Sequence, residues 1–334
     1  MLNLIYYFTF LLFFFYTIRN YYINCGLNGL ESLYLEAIKK KDSIQKEIED
    51  FEQSDFDIDK FWNFTDIQES NDNFKIAAGD GSYSSRKFLA FNLYAVGAVS
   101  YIYNRNNGLD SIEKVDFNIA EHQKNFTDKL RNKMNLFEID NAVKCFNDYG
   151  IDYYMIDGSV YGDLFRIFPY EEKLKDIYTS KLEYMYNLLK FDKGLIAISK
   201  TSTTNEYFHS NIPDMSIFQR FNILKGYSNP IHKKVKDEFT YDFPIMDNYF
   251  KSLEFTVFYL RLEDYKNVLK VELPYRANKK EIEKVVSIIK RESIEGYPYL
   301  LKKAHNEVVI HNKNILELAE IVGLYEKSGR EMLN

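Results

Sequence analysis

Two copies of the tripeptide Asp-Gly-Ser carry the first chemical signal in this 334-residue chain. Asp80 follows the strand-like run 75–79, and Asp157 follows the strand-like run 153–156. A buried strand that ends at a carboxylate and turns on a glycine aims that acid into a cleft, so two such ends in one sheet can pair two carboxylates. Asp-Gly is also ordinary turn chemistry. Two interpretations are therefore open, a metal-binding pair or two turns.

A third acid, Glu138, belongs to a helix predicted over residues 121–148. It lies four residues after Met134 and four before Ala142, on or beside the apolar stripe of that helix. A charge there costs on the order of several kcal/mol unless it is paired or bound to a metal. The alternative is a flank position from which the carboxylate reaches solvent. Three carboxylates around one cleft would suit Mg²⁺ or Mn²⁺, and two such ions can support phosphodiester cleavage.

Further polar side chains stand near predicted element ends. Lys200 ends a strand predicted over 194–199, where a lysine can hold a phosphate, position a nucleophile or simply lie in solvent. Tyr297 begins a Tyr-Pro-Tyr segment and His305 follows it in a helical turn, and both residue types can contact a scissile phosphate or transfer a proton. A structural or surface role is the open alternative for His305. Aromatic residues near the two Asp-Gly segments can stack on bases or pack in the core, namely Tyr83, Tyr161 and Phe165.

The elements that must position these residues follow an α/β order. Early strands are predicted over 74–80, 86–103 with a bend near Gly97, and 114–119, followed by the helix 121–148, a strand 151–156, a helix 171–189 and a strand 194–199. Later elements are strands 253–262 and 268–273 and helices 278–294 and 298–322, the last broken near His311; residues 214–221 and 244–249 are ambiguous. Antiparallel strands followed by crossovers are the order of a ribonuclease H-like mixed sheet flanked by helices.

The N-terminal part of the chain divides into an apolar extension, 1–27, and a helix with its linker, 28–60, ahead of a main domain, 61–334. Residues 4–18 are nearly all apolar, which is short of the roughly 20 residues that a spanning helix needs. Three interpretations are open: a start codon assigned too early, which we favour, an uncleaved membrane anchor, or a signal peptide without the usual flanks. An amphipathic helix is predicted over 30–52.

Composition excludes several classes of protein. A chain that is 46% hydrophobic and 28% charged is globular, and its net charge of -6 argues against a basic coat without excluding a local patch for nucleic acid. Cys25 and Cys145 lack zinc or disulfide spacing, so a reducing cytosol is the default location. No Gly-Lys-Ser/Thr phosphate loop and no Gly-x-Ser-x-Gly segment occurs, which disfavours an NTPase and an α/β-hydrolase.

Taken in chain order, these motifs resemble the NurA nuclease family over about residues 74–312. The resemblance rests on the two Asp-Gly-Ser segments, the helix with Leu130, Arg131 and Glu138, the segment Ser199-Lys200-Thr201-Ser202, and Tyr297-Pro298-Tyr299 followed by Ala304-His305. It implies a ribonuclease H-like (Piwi-like) core, a homodimer around a central channel, and a manganese- or magnesium-dependent nuclease with single-strand endonuclease and 5′-to-3′ exonuclease activity. It also implies DNA end resection with a HerA-type hexameric translocase, alongside Mre11-Rad50.

Active-site residues carried over by the resemblance are Asp80, Glu138 and Asp157 as ligands of two ions, with Tyr297, His305 and Lys200 beside them. The apolar N-terminus departs from the family pattern. Two other functions stay open: a catalytically silent ribonuclease H-like subunit that binds DNA and the translocase, and a membrane-tethered protein with an unrelated domain. We expect the three carboxylates to lie close together, with His305 within reach of the same cleft.

Overall fold

The computed structural model describes residues 30–52, 56–106, 108–165, 175–235 and 244–324. The chain divides into two compact units, Met1–Phe56 and Asp57–Asn334. In the first unit, helix α1 spans Glu31–Glu52, as its apolar spacing predicts. The apolar run predicted over 4–18 lies outside the described residues. Within the described ranges, no helix is long and apolar enough to cross a membrane.

A ten-stranded mixed sheet forms the centre of the second unit. Its strands are β1 Trp62–Phe64, β2 Lys75–Lys87, β3 Asn92–Asn104, β4 Gly108–Ala120, β5 Tyr153–Asp157, β6 Leu195–Ser199, β7 Gly226–Ser228, β8 Ile231–Lys234, β9 Glu254–Arg261 and β10 Leu269–Leu273. The spatial order is β1-β7-β9-β10-β6-β5-β2-β3-β4, with β8 also paired to β9. Strand β5 pairs parallel with both β2 and β6, and these two ladders lie in the middle of an otherwise antiparallel arrangement of the described strands.

Helices cover both faces of the sheet. They are α2 Phe126–Tyr149, α3 Val160–Phe165, α4 Lys175–Leu189, α5 Asp214–Phe221, α6 Pro244–Ser252, α7 Lys279–Arg291, α8 Tyr299–Val308 and α9 Asn312–Ile321; a short ladder joins β11 Ser293–Ile294 to β12 Tyr297–Pro298. Because successive strand residues face opposite sides, Ala77 joins the core under α2 and α4, whereas Ala78 joins the core under α7 and α8. The site is therefore flanked by α2 on one face and α8 on the other.

The connection from α2 to β5 is short. Gly150 ends the helix in the left-handed conformation, with φ of 59°, and its N–H donates to the Cys145 carbonyl. Glycine adopts this conformation without the steric cost that a side chain adds. The chain then enters β5 within three residues, so the helix that carries Glu138 and the strand that carries Asp157 are consecutive elements.

Strand β2 is longer than the sequence pattern predicts. The predicted end at Asp80 is wrong, because β2 continues to Lys87 and residues 88–91 connect it to β3. The predicted single strand over 86–103 is therefore the end of β2 followed by most of β3. Gly97, where a bend is predicted, pairs with Ser82 on one side and Val115 on the other within uninterrupted ladders, so no bulge interrupts β3 there.

The remaining predicted elements are present with boundaries shifted by a few residues, and β4 starts six residues before the predicted strand 114–119. The ambiguous segments 214–221 and 244–249 are helical, as α5 and the first part of α6. The break predicted near His311 separates α8 from α9. Strands β1, β7 and β8 and helix α3 were not predicted, because three to six residues are too few to show a period.

A buried arginine ties α5 to the connection between β9 and β10. Arg261 is 1% exposed, and its guanidinium donates to the carbonyls of Phe218 at 3.2 Å and Gln219 at 3.1 Å. It also donates to the carbonyls of Asn222 and Lys266. Burial lowers the pKa of Arg261 to about 10. The last carbonyls of a helix have no partner inside it, and a planar guanidinium can satisfy several of them at once.

We expect Arg261→Lys to destabilise the protein by about 2–4 kcal/mol, because a lysine ammonium cannot reach the same set of carbonyls and leaves buried acceptors unpaired. Urea unfolding measures the difference. The matched control is Arg276→Lys, which changes an exposed arginine whose Nη1 lies 2.7 Å from Glu254 and is expected to alter stability by less than about 1 kcal/mol. Equal stability of the two variants would contradict the role given to Arg261.

Candidate metal centre

Two adjacent parallel strands bring Asp80 and Asp157 to the same end of the sheet. Gly79 of β2 pairs with Ile156 of β5, so the two aspartates follow the last paired residues on neighbouring strands, which run about 5 Å apart. At this point β5 ends and the chain turns at Gly158, with φ of 122°. Strand β2 continues past the end of β5, which leaves a cleft bordered by β2.

Glycines on both sides of Asp80 explain why an Asp-Gly pair lies inside a strand. A Cβ atom at Gly81 would lie 2.7 Å from Met134 Cγ and 2.8 Å from Glu138 Oε1, closer than packed side-chain atoms approach. Gly79 faces the same side of β2 as Gly81. A Cβ at Gly79 would instead lie 2.2 Å from the Tyr154 hydroxyl and 2.5 Å from Ser100 Oγ of the neighbouring strands. Helix α2 can therefore approach the strand at Asp80 because Gly81 lacks a side chain, and this approach delivers Glu138 to the cleft.

The Asp80 carboxylate is held from the opposite face of the sheet. His305 Nδ1 of α8 lies 2.7 Å from Asp80 Oδ2, and the Gly81 N–H donates to Asp80 Oδ1 at 2.9 Å. The His305 side chain is 52% exposed, so its imidazole can exchange protons with solvent. The structure thus places His305 in direct contact with one of the acids, as the sequence predicts.

Lys200 and Tyr297 approach the other aspartate. Lys200 Nζ lies 2.7 Å from Asp157 Oδ2 and 4.9 Å from the centre of the Tyr297 ring. The Tyr297 hydroxyl is buried and faces Asp157 without a well-aligned hydrogen bond. Burial, then Asp157 and Asp80, raise the pKa of Tyr297 well above its usual value. The phenol therefore stays protonated and can act as a hydrogen-bond donor.

Glu138 is the electrostatically costly member of the group. Burial first, and then the nearby acids Asp80, Asp163 and Asp157, together raise the pKa of its carboxyl from 4.5 to about 8, while Lys181 acts in the opposite direction. Glu138 therefore keeps a proton at neutral pH unless another cation replaces it. A divalent ion is such a cation, and carboxylate oxygens are the ligands that Mg²⁺ and Mn²⁺ prefer.

Lys181 and Asp163, two charged residues near Glu138, were not predicted from the sequence. Lys181 of α4 is 2% exposed, and its Nζ lies 3.9 Å from Asp163 Oδ2. With the Asn135 amide oriented to satisfy both of its ends, the amide oxygen accepts from Lys181 Nζ at 2.9 Å. A signal for Lys181 was present, because it precedes Met185 by four residues on the buried stripe of α4.

Asp80, Glu138 and Asp157 line one cavity of about 300 Å³, together with Arg131, Tyr83 and Asp163. His305, Tyr297 and Lys200 reach this group through their approach to the two aspartates. Across the described ranges, no three acidic, histidine or cysteine side chains are already arranged as ligands of one ion. The two aspartates contact His305 and Lys200, each through one carboxylate oxygen, and an ion that binds them would compete with these two groups. The carboxyl groups of Asp80, Glu138 and Asp157, together with the raised pKa of Glu138, fit a site for a divalent cation.

Of the other aromatic residues, Tyr83 lines this cavity, whereas Tyr161 packs edge-on against Phe255 with a ring-centroid distance of 5.3 Å. The packing interpretation therefore applies to Tyr161. The side chain of Phe165 lies outside the described part of the structure.

The chain is similar in sequence to a known family and to known proteins. A family model described as the NurA domain matches residues 74–310. The probable DNA double-strand break repair nuclease NurA of Methanocaldococcus jannaschii is 28% identical, over 92% of this chain and 90% of that protein. The DNA double-strand break repair nuclease NurA of Saccharolobus solfataricus is 24% identical, over 80% of this chain and 86% of that protein.

Solved structures match over most of the chain as well. The crystal structure of the NurA nuclease from Sulfolobus solfataricus aligns with a TM-score of 0.74 and 23% identity, over 88% of this chain and 96% of that chain. A crystal structure of NurA bound to dAMP and manganese aligns with a TM-score of 0.59 and 15% identity, over 91% of this chain and 100% of that chain. These likenesses confirm the predicted α/β fold, a ribonuclease H-like mixed sheet flanked by helices.

A methyl group at Gly81 tests the close approach of α2. We expect Gly81→Ala to push Glu138 out of the cleft and to weaken Mn²⁺ binding by about 10-fold or more, since small displacements of ligands are costly. Thermal unfolding with and without Mn²⁺ measures this. The matched control is Gly97→Ala on β3, where the nearest atom to the new Cβ is 3.6 Å away. Unchanged Mn²⁺ stabilisation in Gly81→Ala would show that α2 has room to move.

Glu138→Gln tests the raised pKa of this carboxyl. Because the folded state holds a proton that the unfolded state releases between pH 4.5 and about 8, the metal-free parent loses stability as pH rises through that window. In EDTA we expect the variant to be more stable than the parent near pH 8, by on the order of a few kcal/mol, with the gap closing toward pH ~5.

Added Mn²⁺ should reverse this ranking, because only the parent gains the ligand. The matched control is Glu320→Gln, which changes an exposed glutamate on α9 and should follow the parent at every pH. A parent whose metal-free stability does not fall between pH ~5 and pH ~8 relative to Glu138→Gln would contradict the assignment.

Proposed function

This chain belongs to the NurA family, and we propose that it is a metal-dependent DNA nuclease that hydrolyses phosphodiester bonds at the cavity between β2, β5 and α2. The observation that carries the proposal is the convergence of Asp80, Asp157 and the buried Glu138 on one cavity, where a divalent cation would stabilise the ionised form of Glu138 that burial and the nearby acids disfavour. Support for DNA as the substrate comes from relatives named DNA double-strand break repair nucleases. Support for manganese comes from a NurA crystal structure with dAMP and manganese.

In this proposal the ligands are Asp80, Glu138 and Asp157, and they hold two Mn²⁺ or Mg²⁺ ions. Such ions, when bound, supply an activated water and stabilise charge on phosphate oxygens. Three carboxylates would leave coordination positions of the two ions open and would not fully neutralise their positive charge. The site therefore favours a polyanionic substrate that brings its own oxygen donors.

The groups now paired with the aspartates have the chemistry to act on the substrate. Lys200 Nζ, once released from Asp157, offers a point charge to a phosphate oxygen. His305 is half-exposed and can give a proton to the leaving oxygen. The phenol of Tyr297 stays protonated and can donate a hydrogen bond toward the scissile phosphate. Each of these roles deepens the proposal for residues predicted from the sequence.

The finer features of the proposal rest on the resemblance of the ordered motifs. They are single-strand endonuclease and 5′-to-3′ exonuclease activity in DNA double-strand-break end resection, a homodimer, and action in the cytosol with a HerA-type translocase alongside Mre11-Rad50. Also proposed is the division of the chain into 1–27, 28–60 and the nuclease domain 61–334.

Cleavage of labelled DNA tests the function directly. We expect the parent to degrade linear single-stranded DNA and to open single-stranded circles with Mn²⁺ and not with EDTA, because the acids cannot act without the ion. Asp80→Asn and Asp157→Asn should each lose more than about 100-fold in rate, since ligand loss exceeds the effect of removing a supporting residue. Comparison of 5′ and 3′ labels reports the polarity.

The control is Asp110→Asn, which alters an exposed aspartate on β4 and should cleave at the parent's rate. A parent that binds DNA but never cleaves it would favour the silent-subunit alternative. Cleavage that survives in both site variants would place the chemistry elsewhere.

A further inference from the structure

A fully buried ion pair lies under the turn that follows Asp157. On β10, Lys270 Nζ is 2.9 Å from Glu272 Oε1, and the two side chains are 6% and 0% exposed. They are two residues apart on a strand, so both face the side of the sheet that α2 and α3 cover. None of the roles described above uses either residue.

Stability does not explain such a pair. Removing two charges from water costs about as much as their attraction returns, and apolar residues of similar volume are often as stable or more stable in the same place. A buried pair is therefore informative when it forms hydrogen bonds that an apolar pair cannot form. Glu272 forms three of them in addition to its contact with Lys270.

All three bonds go to the segment immediately after Asp157. The Ser159 hydroxyl lies 2.8 Å from Glu272 Oε1 and 2.9 Å from Oε2, and the Tyr161 N–H donates to Oε2 at 3.1 Å. The Ser159 Oγ in turn accepts from the Gly162 N–H at 2.8 Å. One carboxylate on β10 thus fixes the whole start of α3.

This fixing matters because the link between Asp157 and Ser159 is a glycine. Gly158 has φ of 122°, a conformation that a glycine also leaves easily. Its N–H donates to the Ile198 carbonyl of β6 at 2.9 Å, which holds one side of the turn. Glu272 holds the other side. Between these two points the Asp157 main chain has little freedom, so its carboxylate enters the cleft in one direction.

We propose that Glu272, held in place by its contact with Lys270, is a positioning residue for Asp157 and sets the affinity of the site for its divalent ion. The proposal rests on the proposed function, because it takes Asp157 as a ligand. In this proposal Lys270 and Glu272 of β10 act indirectly, through the turn after Asp157 and not by contact with the substrate or the ion. Loss of a residue that orients a metal ligand typically costs 10- to 100-fold in metal affinity or activity.

The decisive variant replaces both charges at once, as Lys270→Leu with Glu272→Leu. The core stays filled and no charge is left unpaired, so we expect the protein to fold and to unfold in EDTA near the parent's temperature. Its Mn²⁺ dissociation constant, read from the binding of free Mn²⁺ and from the metal-induced rise in unfolding temperature, should increase about 10- to 100-fold. The rate at saturating Mn²⁺ should fall less.

A second variant restores the hydrogen bonds without the charges. In Lys270→Met with Glu272→Gln, the amide can still accept from Ser159 and Tyr161, so Mn²⁺ affinity should return to within about 3-fold of the parent. The control pair is Asp247→Leu with Lys251→Leu on α6, whose partners lie 2.9 Å apart away from the cavity; it should leave Mn²⁺ affinity unchanged.

If the leucine pair does not fold, Ser159→Ala serves in its place, because it removes one hydroxyl and leaves the ion pair intact; a fall in Mn²⁺ affinity of about 3- to 10-fold is then expected. Parent-like Mn²⁺ affinity in a folded leucine pair or in Ser159→Ala would overturn the proposal, and so would equal losses in the leucine and glutamine pairs. A parent that binds Mn²⁺ but does not cleave DNA would refute the proposed function alone.

Discussion

Desolvated negative charge is the constraint on which the rest of this structure depends. Glu138 keeps a proton well above its usual pKa because burial and the nearby acids disfavour its ionised form. The neighbouring acids contact basic side chains from separate elements: Lys200 after β6 pairs with Asp157, the His305 ring of α8 lies against Asp80, and Lys181 of α4 lies beside Glu138 and Asp163. Without a divalent ion, the fold therefore neutralises the site with protons and ammonium groups that an ion can later displace.

The sheet solves the geometric half of the same problem. Successive side chains along a strand point to alternate faces of the sheet, so Asp80 points away from the face on which Gly79 and Gly81 lie. A side chain at Gly81 would clash with Met134 and Glu138 of α2. Because Gly81 has none, and because β5 stops at Asp157 while β2 continues, Glu138 and Asp80 line a single cavity. Gly81 is required by this approach and not by a turn.

The sequence predicted the long helices, the strands that are continuous apolar runs, and the types of the site residues. Hydrophobic spacing located α2, short apolar runs located β5 and β6, and an aspartate after an apolar run marked Asp157 correctly as a strand end. The same rule was wrong for Asp80, where β2 continues to Lys87. Asp-Gly is typical of a turn, and the sequence does not show that α2 packs against Gly81. Lys181 and Glu272 went unnoticed for a related reason: a charge on a buried stripe or strand shows its partners only once distant elements are packed together.

Buried polar contacts connect these separate observations on the α2 side of the sheet. Glu272 bonds to the start of α3, α3 carries Asp163, and Asp163 lies beside Lys181, which also contacts α2 through Asn135. In such a network the loss of one member leaves its buried partners without hydrogen bonds, which is costly. Its members are therefore expected to change together, and a substitution on β10 should be felt at Glu138 through α3 and α4 as well as at Asp157. Coupling between Glu272 and Glu138 in a double-mutant cycle follows from this geometry, whereas independent sites of comparable separation would add.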